Sequence, residues 1–149
     1  MVKDEKDREE KPLKIENYNA SFDEAISFMQ KHEPVSPLAW NVDLALAAGS
    51  LTKTLTSSWF GVGSNFNARL KNFIPSLGNK PCGENVSKTW KDFKNTPGKY
   101  LVLRMILCDG ERNKGDRDNI MSKDFNSIGI NSDKDRSITT IDFALFAEM

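Results

Sequence analysis

Apolar positions recur along the chain with two spacings, one typical of helices and one typical of strands. Phe22, Ala25 and Met29 recur at helical spacing, and Ser21 and Glu24 have the spacing of a capping box. In such a box the serine and the glutamate satisfy backbone amides at the start of a helix. We therefore predict a helix that begins at Ser21 and ends before the next proline.

The following segment shows the strand spacing. Large apolar residues stand at alternate positions: Leu38, Trp40, Val42, Leu44 and Leu46. On a strand these side chains share one face, whereas on a helix they divide between opposite faces. The pattern favours a strand here, a turn near Gly49 and a second strand over residues 51–62. A single helix from Ser36 to Gly49 is the alternative.

Further along the chain, two helices and two strands are predicted. Ser64 can cap a helix with apolar residues at helical spacing, and Ser87 can begin a shorter one. The nearly continuous apolar run over residues 99–108 is typical of a central strand, and residues 136–148 predict another. Residues 75–84 are rich in glycine and proline and are predicted to be a loop.

Together these elements predict an α+β fold. We expect an antiparallel or mixed sheet of about four strands with two or three short packed helices, and a β-sandwich with helical insertions is the alternative. Residues 21–149 are expected to form a single globular domain. Residues 1–20 are expected to be a flexible charged tail, because eleven of the first 16 residues are charged and little there can be buried.

Composition narrows the class of protein. The chain has 149 residues with 21 basic and 21 acidic side chains, which argues against a strongly basic nucleic-acid binder. It has no apolar run of about 20 residues to span a membrane and no signal-peptide core. We therefore expect a soluble cytoplasmic or intracellular protein, with signal-independent export as the alternative. Cys82 and Cys108 are too few for a disulfide scaffold and are expected to be reduced.

The formal net charge of zero conceals a basic segment in the middle of the chain. Between Leu44 and Cys108 there are nine basic residues and two acidic ones, and several of the basic residues flank aromatic side chains. Lysine and arginine beside aromatic rings suit phosphate contacts and base stacking, or an acidic protein partner. The candidate binding residues of this segment are Arg69, Lys71, Lys88, Trp90, Lys91 and Lys94.

A polar segment over residues 109–119 is predicted to be a loop and is the candidate cation site. Carboxylate and amide oxygens on a flexible loop are the ligands that calcium prefers. The candidate ligands are Asp109, Glu111, Asn113, Asp116 and Asp118. The segment departs from an EF-hand in its glycine position and lacks the final glutamate, so a solvated loop is the alternative. No other cofactor is predicted.

Two aspartates interrupt predicted strands. Asp43 and Asp142 alternate with apolar neighbours, and we expect both to face solvent. An aspartate that faced inward, in a cleft, would be a catalytic candidate with a shifted pKa. No catalytic residue is assigned.

The sequence is most consistent with a non-enzymatic binding or assembly protein, a subunit or accessory module of a larger complex. Its partner would be another protein or a second copy, and exposed strand edges could support association by strand addition. One alternative is a small effector-type enzyme or metal-binding domain that uses the 109–119 loop. Another is a nucleic-acid-binding module that uses the lysine-rich segment 69–104.

Overall fold

The structure, a computed structural model, describes residues 18–57, 66–88, 98–108, 114–134 and 137–146. Five α-helices and four strands occur within these ranges. The helices are α1 (Tyr18–Lys31), α2 (Val42–Ser57), α3 (Phe66–Phe73), α4 (Gly98–Leu107) and α5 (Gly115–Ile120). The strands are β1 (Ala39–Trp40), β2 (Cys82–Lys88), β3 (Ser127–Ser132) and β4 (Ile138–Ala144).

The four strands form one open, mixed sheet in the order β1-β3-β4-β2. Strand β1 is parallel to β3, whereas β4 is antiparallel to both of its neighbours. The predicted α+β class and the four-stranded sheet are confirmed. The sheet is single, unlike the alternative β-sandwich, and there are more helices than the two or three predicted.

Helices cover both faces of the sheet. On one face, Leu44 of α2 and Leu70 of α3 pack against Ala144 of β4. On the other face, Met105 of α4 packs against Ile141 and Phe143 of β4, with side chains of α5 beside them. All seven residues of β4 are buried as a result. Helix α1 contacts α4.

Helix α2 lies unusually close to the sheet at Gly129 of β3. A Cβ atom at this position would overlap the backbone of Leu44 and Ala45. Glycine is the residue that permits such a close approach of two backbone segments. Gly129 is the register partner of Asp142, so this contact also closes the region around Asp142.

A single residue joins β1 to α2. The amide of Asn41 donates a 2.9 Å hydrogen bond to the Ile128 carbonyl, which continues the pairing with β3. The Asn41 side-chain oxygen accepts a 2.9 Å hydrogen bond from the Leu44 amide. This is the geometry of an asparagine N-cap, so the strand ends and the helix begins at the same residue.

The predicted helices near residues 21 and 66 and the predicted strand at the chain's end are confirmed as α1, α3 and β4. Helix α1 begins at Tyr18, so Ser21 lies within the helix and is not its cap. Helix α1 therefore begins three residues before the predicted boundary at 21. Residues 1–17, which include most of the predicted tail, lie outside the described residues.

Over the described residues, the two strands predicted for 38–46 and 51–62 are wrong except at β1; residues 58–62 lie outside the described ranges. Helix α2 occupies residues 42–57, as in the helical alternative but extended past Gly49. Its buried stripe is Leu44, Ala47, Ala48 and Leu51, which has helical spacing. The strand prediction counted large residues alone and therefore missed the two alanines.

Two further predictions were wrong for different reasons. Residues 99–108 form helix α4 and not a central strand, because a short apolar run does not distinguish a buried helix from a buried strand. Strand β2 replaces the end of the predicted 75–84 loop and includes Ser87, which was expected to begin a helix. Strand β3 was not predicted. Ser64 lies outside the described residues.

Within the described ranges, no helix is both long enough and apolar enough to cross a membrane.

The close approach of α2 and β3 predicts a position-specific effect of adding one methyl group. Gly129→Ala should lower the free energy of unfolding by at least about 2 kcal/mol, because backbone must move to admit the Cβ atom. Urea unfolding followed by circular dichroism measures this change.

Gly98→Ala is the matched control. No atom lies within 4 Å of a Cβ added at Gly98, which begins helix α4. Its stability should be unchanged or raised by less than about 1 kcal/mol. Equal unfolding curves for Gly129→Ala and Gly98→Ala would contradict the packing described here.

Candidate functional site

Two carboxylates lie side by side on the sheet face that α2 and α3 cover. Glu84 of β2 and Asp142 of β4 are direct partners in the antiparallel register. Such partners have Cβ atoms about 4.5–5.5 Å apart. The exposed fraction of the side chain is 9% for Glu84 and 0% for Asp142. The sheet therefore holds two acidic groups together where water has little access.

Arg69 of α3 supplies the positive charge beside them. Its guanidinium forms an ion pair with Glu84, and its Nη1 atom lies 3.5 Å from Oδ2 of Asp142. Nη1 also donates a 2.9 Å hydrogen bond to the carbonyl of Ala47 in α2. One side chain thus connects α2 and α3 to β2 and β4. We call Arg69, Glu84 and Asp142 the acid–arginine cluster.

Asp142 is the least compensated member of this cluster. Its side chain is fully buried, and its contact with Nη1 of Arg69, at 3.5 Å, is at the outer limit of hydrogen-bond distance. Burial raises the pKa of Asp142 to about 6, and the nearby Arg69 guanidinium opposes that shift. The prediction that Asp142 faces solvent is therefore wrong. Strand alternation assumes one solvated sheet face, but here helices cover both faces.

A thiol adjoins the cluster. Cys82 stands two residues before Glu84, on the same face of β2. Its Sγ atom donates a 3.1 Å hydrogen bond to Oδ1 of Asn67. Burial raises the pKa of the Cys82 thiol, Lys71 lowers it, and Asp142 raises it. A raised pKa disfavours the nucleophilic thiolate, so this geometry does not favour cysteine-based catalysis.

The chemistry open to the cluster is proton binding and charge pairing. A carboxyl group with a pKa near 6 can take up a proton close to neutral pH, as a general acid or base does. Full burial of Asp142, however, keeps substrates away from it in this conformation. Within the described part of the chain, no three acidic, cysteine or histidine side chains converge on a metal position.

A second ion pair, in which the arginine is buried and the glutamate is half exposed, lies on the other side of the sheet. Arg117 of α5 has 1% exposure and binds both carboxylate oxygens of Glu24 in α1, at 2.7 and 2.5 Å. Its Nε atom donates a 2.6 Å hydrogen bond to the Ile106 carbonyl, at the end of α4. The guanidinium also lies over the Phe28 ring at 4.7 Å. Arg117 therefore fastens α1 and α4 to α5.

Three of the six residues predicted to form a basic binding surface lie in the described part of the chain. Arg69 points inward, and the two carboxylates of the cluster neutralise its charge. Lys71 is exposed on α3 and donates a 3.2 Å hydrogen bond to Asn79. Lys88 ends β2 and is exposed. Trp90, Lys91 and Lys94 lie outside the described residues, so the rest of this surface stays a prediction.

The predicted cation loop is partly a helix. Asp109, Glu111 and Asn113 lie outside the described residues, whereas Asp116 and Asp118 lie in the first turn of α5. The loop prediction is therefore wrong over residues 115–119. Acidic residues in a first turn interact favourably with the helix dipole, which explains these two without a metal. Calcium binding by this segment stays a prediction.

One groove in the described structure lies away from these residues. A shallow groove of about 390 Å³ runs between α2 and β3, and its lining includes Thr52, Lys53, Thr56, Asn131 and Asp133. Oδ1 of Asp133 accepts a 3.1 Å hydrogen bond from the Ile138 amide and so closes the hairpin. None of the residues proposed from the sequence lines this groove.

No protein-family model matches the sequence, and no curated protein matches it. Solved structures do share the fold. A cysteine-rich secretory protein from Staphylococcus aureus matches with a TM-score of 0.58 at 18% identity, over 89% of this chain and 40% of that one. An extracellular protein containing an SCP domain, from Bacillus anthracis, matches with a TM-score of 0.59 at 19% identity, over 85% of this chain and 39% of that one.

An outer surface protein from Borrelia burgdorferi matches with a TM-score of 0.57 at 11% identity. That match covers 87% of this chain and 90% of the Borrelia chain. The present chain therefore spans about two fifths of the length of the first two proteins and nearly all of the third. At these identities the likeness shows the fold alone.

Removing the charge of Arg69 should destabilise the protein more than removing a charge from the surface. Arg69→Met should lower the free energy of unfolding by about 3–5 kcal/mol, because two largely buried carboxylates would lose their cation. Lys71→Met, on the exposed side of the same helix, should change it by less than about 0.5 kcal/mol. Similar values for both variants in urea unfolding would show that the cluster adds no stability.

The Arg117–Glu24 pair makes a prediction about pH. The hydrogen bond from Arg117 lowers the pKa of Glu24 from its ordinary 4.5. Its contribution to stability is thus present above pH 4.5 and is lost as the pH falls through the lowered pKa. At neutral pH, Glu24→Gln should destabilise the protein by about 1 kcal/mol, because 47% of the Glu24 side chain is exposed and solvent screens the pair, and the difference from wild type should vanish in acid.

Glu33→Gln is the control for this measurement. Glu33 forms an ion pair with Lys123, and both side chains are more than half exposed. Exposed pairs contribute about 1 kcal/mol or less, so this variant should follow wild type closely at each pH. A loss at Glu33 as large as that at Glu24 would contradict the role given to Arg117.

Proposed function

We propose that this chain is an SCP-like domain that acts outside the cytoplasm and binds a partner protein rather than catalysing a reaction. One observation supports the proposal: most of this chain shares its fold with three proteins described as secretory, extracellular or outer-surface. In this proposal, export replaces the cytoplasmic location expected from the sequence. Assembly into a larger complex, expected from the sequence, is retained as part of the proposal.

A group of exposed apolar side chains supports the binding role. Trp40 of β1 is 62% exposed, and Val42 and Leu46 of α2 are 62% and 59% exposed. Val42 and Leu46 are four residues apart on the helix and are therefore neighbours. Large apolar side chains that are grouped on a surface mark sites of protein interaction. We call Val42 and Leu46 the apolar corner; Trp40 is the register partner of Ile128 and lies on the sheet face that α4 covers.

The location is tested in the organism that makes the protein. A tagged full-length chain should be found outside the cytoplasm and should be digested when protease is added to intact cells. A cytoplasmic protein made with the same tag is the control and should be protected. Recovery of the chain with that control, protected from protease, would contradict the proposed location.

The binding role is tested by photo-crosslinking in the same cells. A crosslinking amino acid at Leu46, in the apolar corner, should give one discrete protein adduct. The same amino acid at Val102, an exposed apolar residue of α4, is the control and should not give that adduct. Equal yields at both positions, or none at Leu46, would argue against binding through the apolar corner.

A further inference from the structure

The acid–arginine cluster holds more negative than positive charge. Two carboxylates, Glu84 and Asp142, share the single guanidinium of Arg69. When both are ionised, a surplus negative charge remains in a region largely closed to water. When two carboxylates share a site, ionisation of one disfavours ionisation of the other. A single added proton would balance the charges.

Among the described residues packed around Asp142, Arg69 is the cation that lies within ion-pair distance of its carboxylate. Helix α3 contributes Arg69, and β2 contributes Glu84 and the Cys82 thiol, which Lys71 of α3 also influences. Strand β3 places Gly129 opposite Asp142. The residues that α2 buries are apolar or, at Thr52, a neutral hydroxyl.

Of the two carboxylates, the geometry selects Asp142 for the proton. Glu84 keeps 9% of its side chain exposed and pairs closely with Arg69, whereas Asp142 is fully buried and lies 3.5 Å from the nearest guanidinium nitrogen. The charged form of Asp142 is therefore the one that burial disfavours more. A pKa of about 6 for Asp142 agrees with this choice.

We propose that the acid–arginine cluster binds one proton in mildly acidic solution, at Asp142, and that this proton stabilises the folded domain. Because Asp142 binds the proton more tightly folded than unfolded, the added stability is fully present below the ordinary value of 3.8. It is lost as the pH rises through about 6. This direction is opposite to that of Glu24, whose contribution to stability is lost as the pH falls below 4.5.

The first experiment measures the unfolding equilibrium of the full chain in urea at intervals between about pH 4.5 and pH 7.5. For wild type, the unfolding constant should fall roughly ten- to hundredfold as the pH is lowered across this range. Asp142→Asn has no charge to bury and should show little of this dependence. The control, Asp124→Asn, removes an exposed aspartate and should keep the wild-type dependence.

A direct titration protects the test against variants that fail to fold. The carboxyl carbon of Asp142 is followed by NMR in the folded, ¹³C-labelled wild-type protein over the same pH range. A midpoint near 6 supports the proposal. A midpoint near 3.8, or an unfolding constant that does not fall as the pH is lowered through 6, would overturn it.

Glu84→Gln separates this role from a merely structural one. It leaves one carboxylate for one guanidinium, so the charge on Asp142 is better compensated. The Asp142 midpoint should therefore move to lower pH, whatever the variant does to overall stability. An unchanged midpoint would show that Glu84 and Asp142 do not share Arg69, and the proposed cluster would be wrong.

Discussion

Strand β4 is covered by helices on both faces, and this constraint governs the rest of the structure. Each of its side chains is buried, whichever way the strand directs it. Burial of apolar residues such as Phe143 in this strand stabilises the folded state. A charged residue in the same strand needs an oppositely charged side chain from another helix or strand, because burying an isolated charge costs too much free energy. The position of α3, which carries Arg69, meets this requirement for Asp142.

The two buried arginines meet the cost of burial to different degrees. Arg117 has one carboxylate, two main-chain carbonyls and an aromatic ring around it, so its hydrogen-bonding groups are well matched. Arg69 has one carbonyl and two carboxylates, and its contact with one of these, Asp142, is long at 3.5 Å. A matched pair fixes helices in place. The less well matched Asp142 can instead bind or release a proton inside the core. The Arg117–Glu24 pair therefore holds helices in place, whereas the acid–arginine cluster can respond to pH.

How much of this could be read from the sequence depends on what each residue contacts. The strand at the end of the chain was predictable because its apolar content is high throughout. Helix α2 was not, because Val42 and Leu46 are large but exposed, whereas the small Ala47 is buried. Asp142 was expected outside because one solvated sheet face was assumed. Glu84 lies in a polar segment without strand character, and only its pairing with β4 reveals its neighbours.

The junction at Asn41 limits how far another chain could pair with the β1 edge of the sheet. Ala39 and Asn41 donate to β3, so the parallel pattern leaves the N–H and C=O of Trp40 facing away from the sheet. Since α2 begins at the next residue, this edge offers too short a template for another chain to extend. The short length of β1 is therefore enough to disfavour fibril-like growth at this edge. An aromatic side chain can be displayed at this margin without the aggregation that a longer open edge invites.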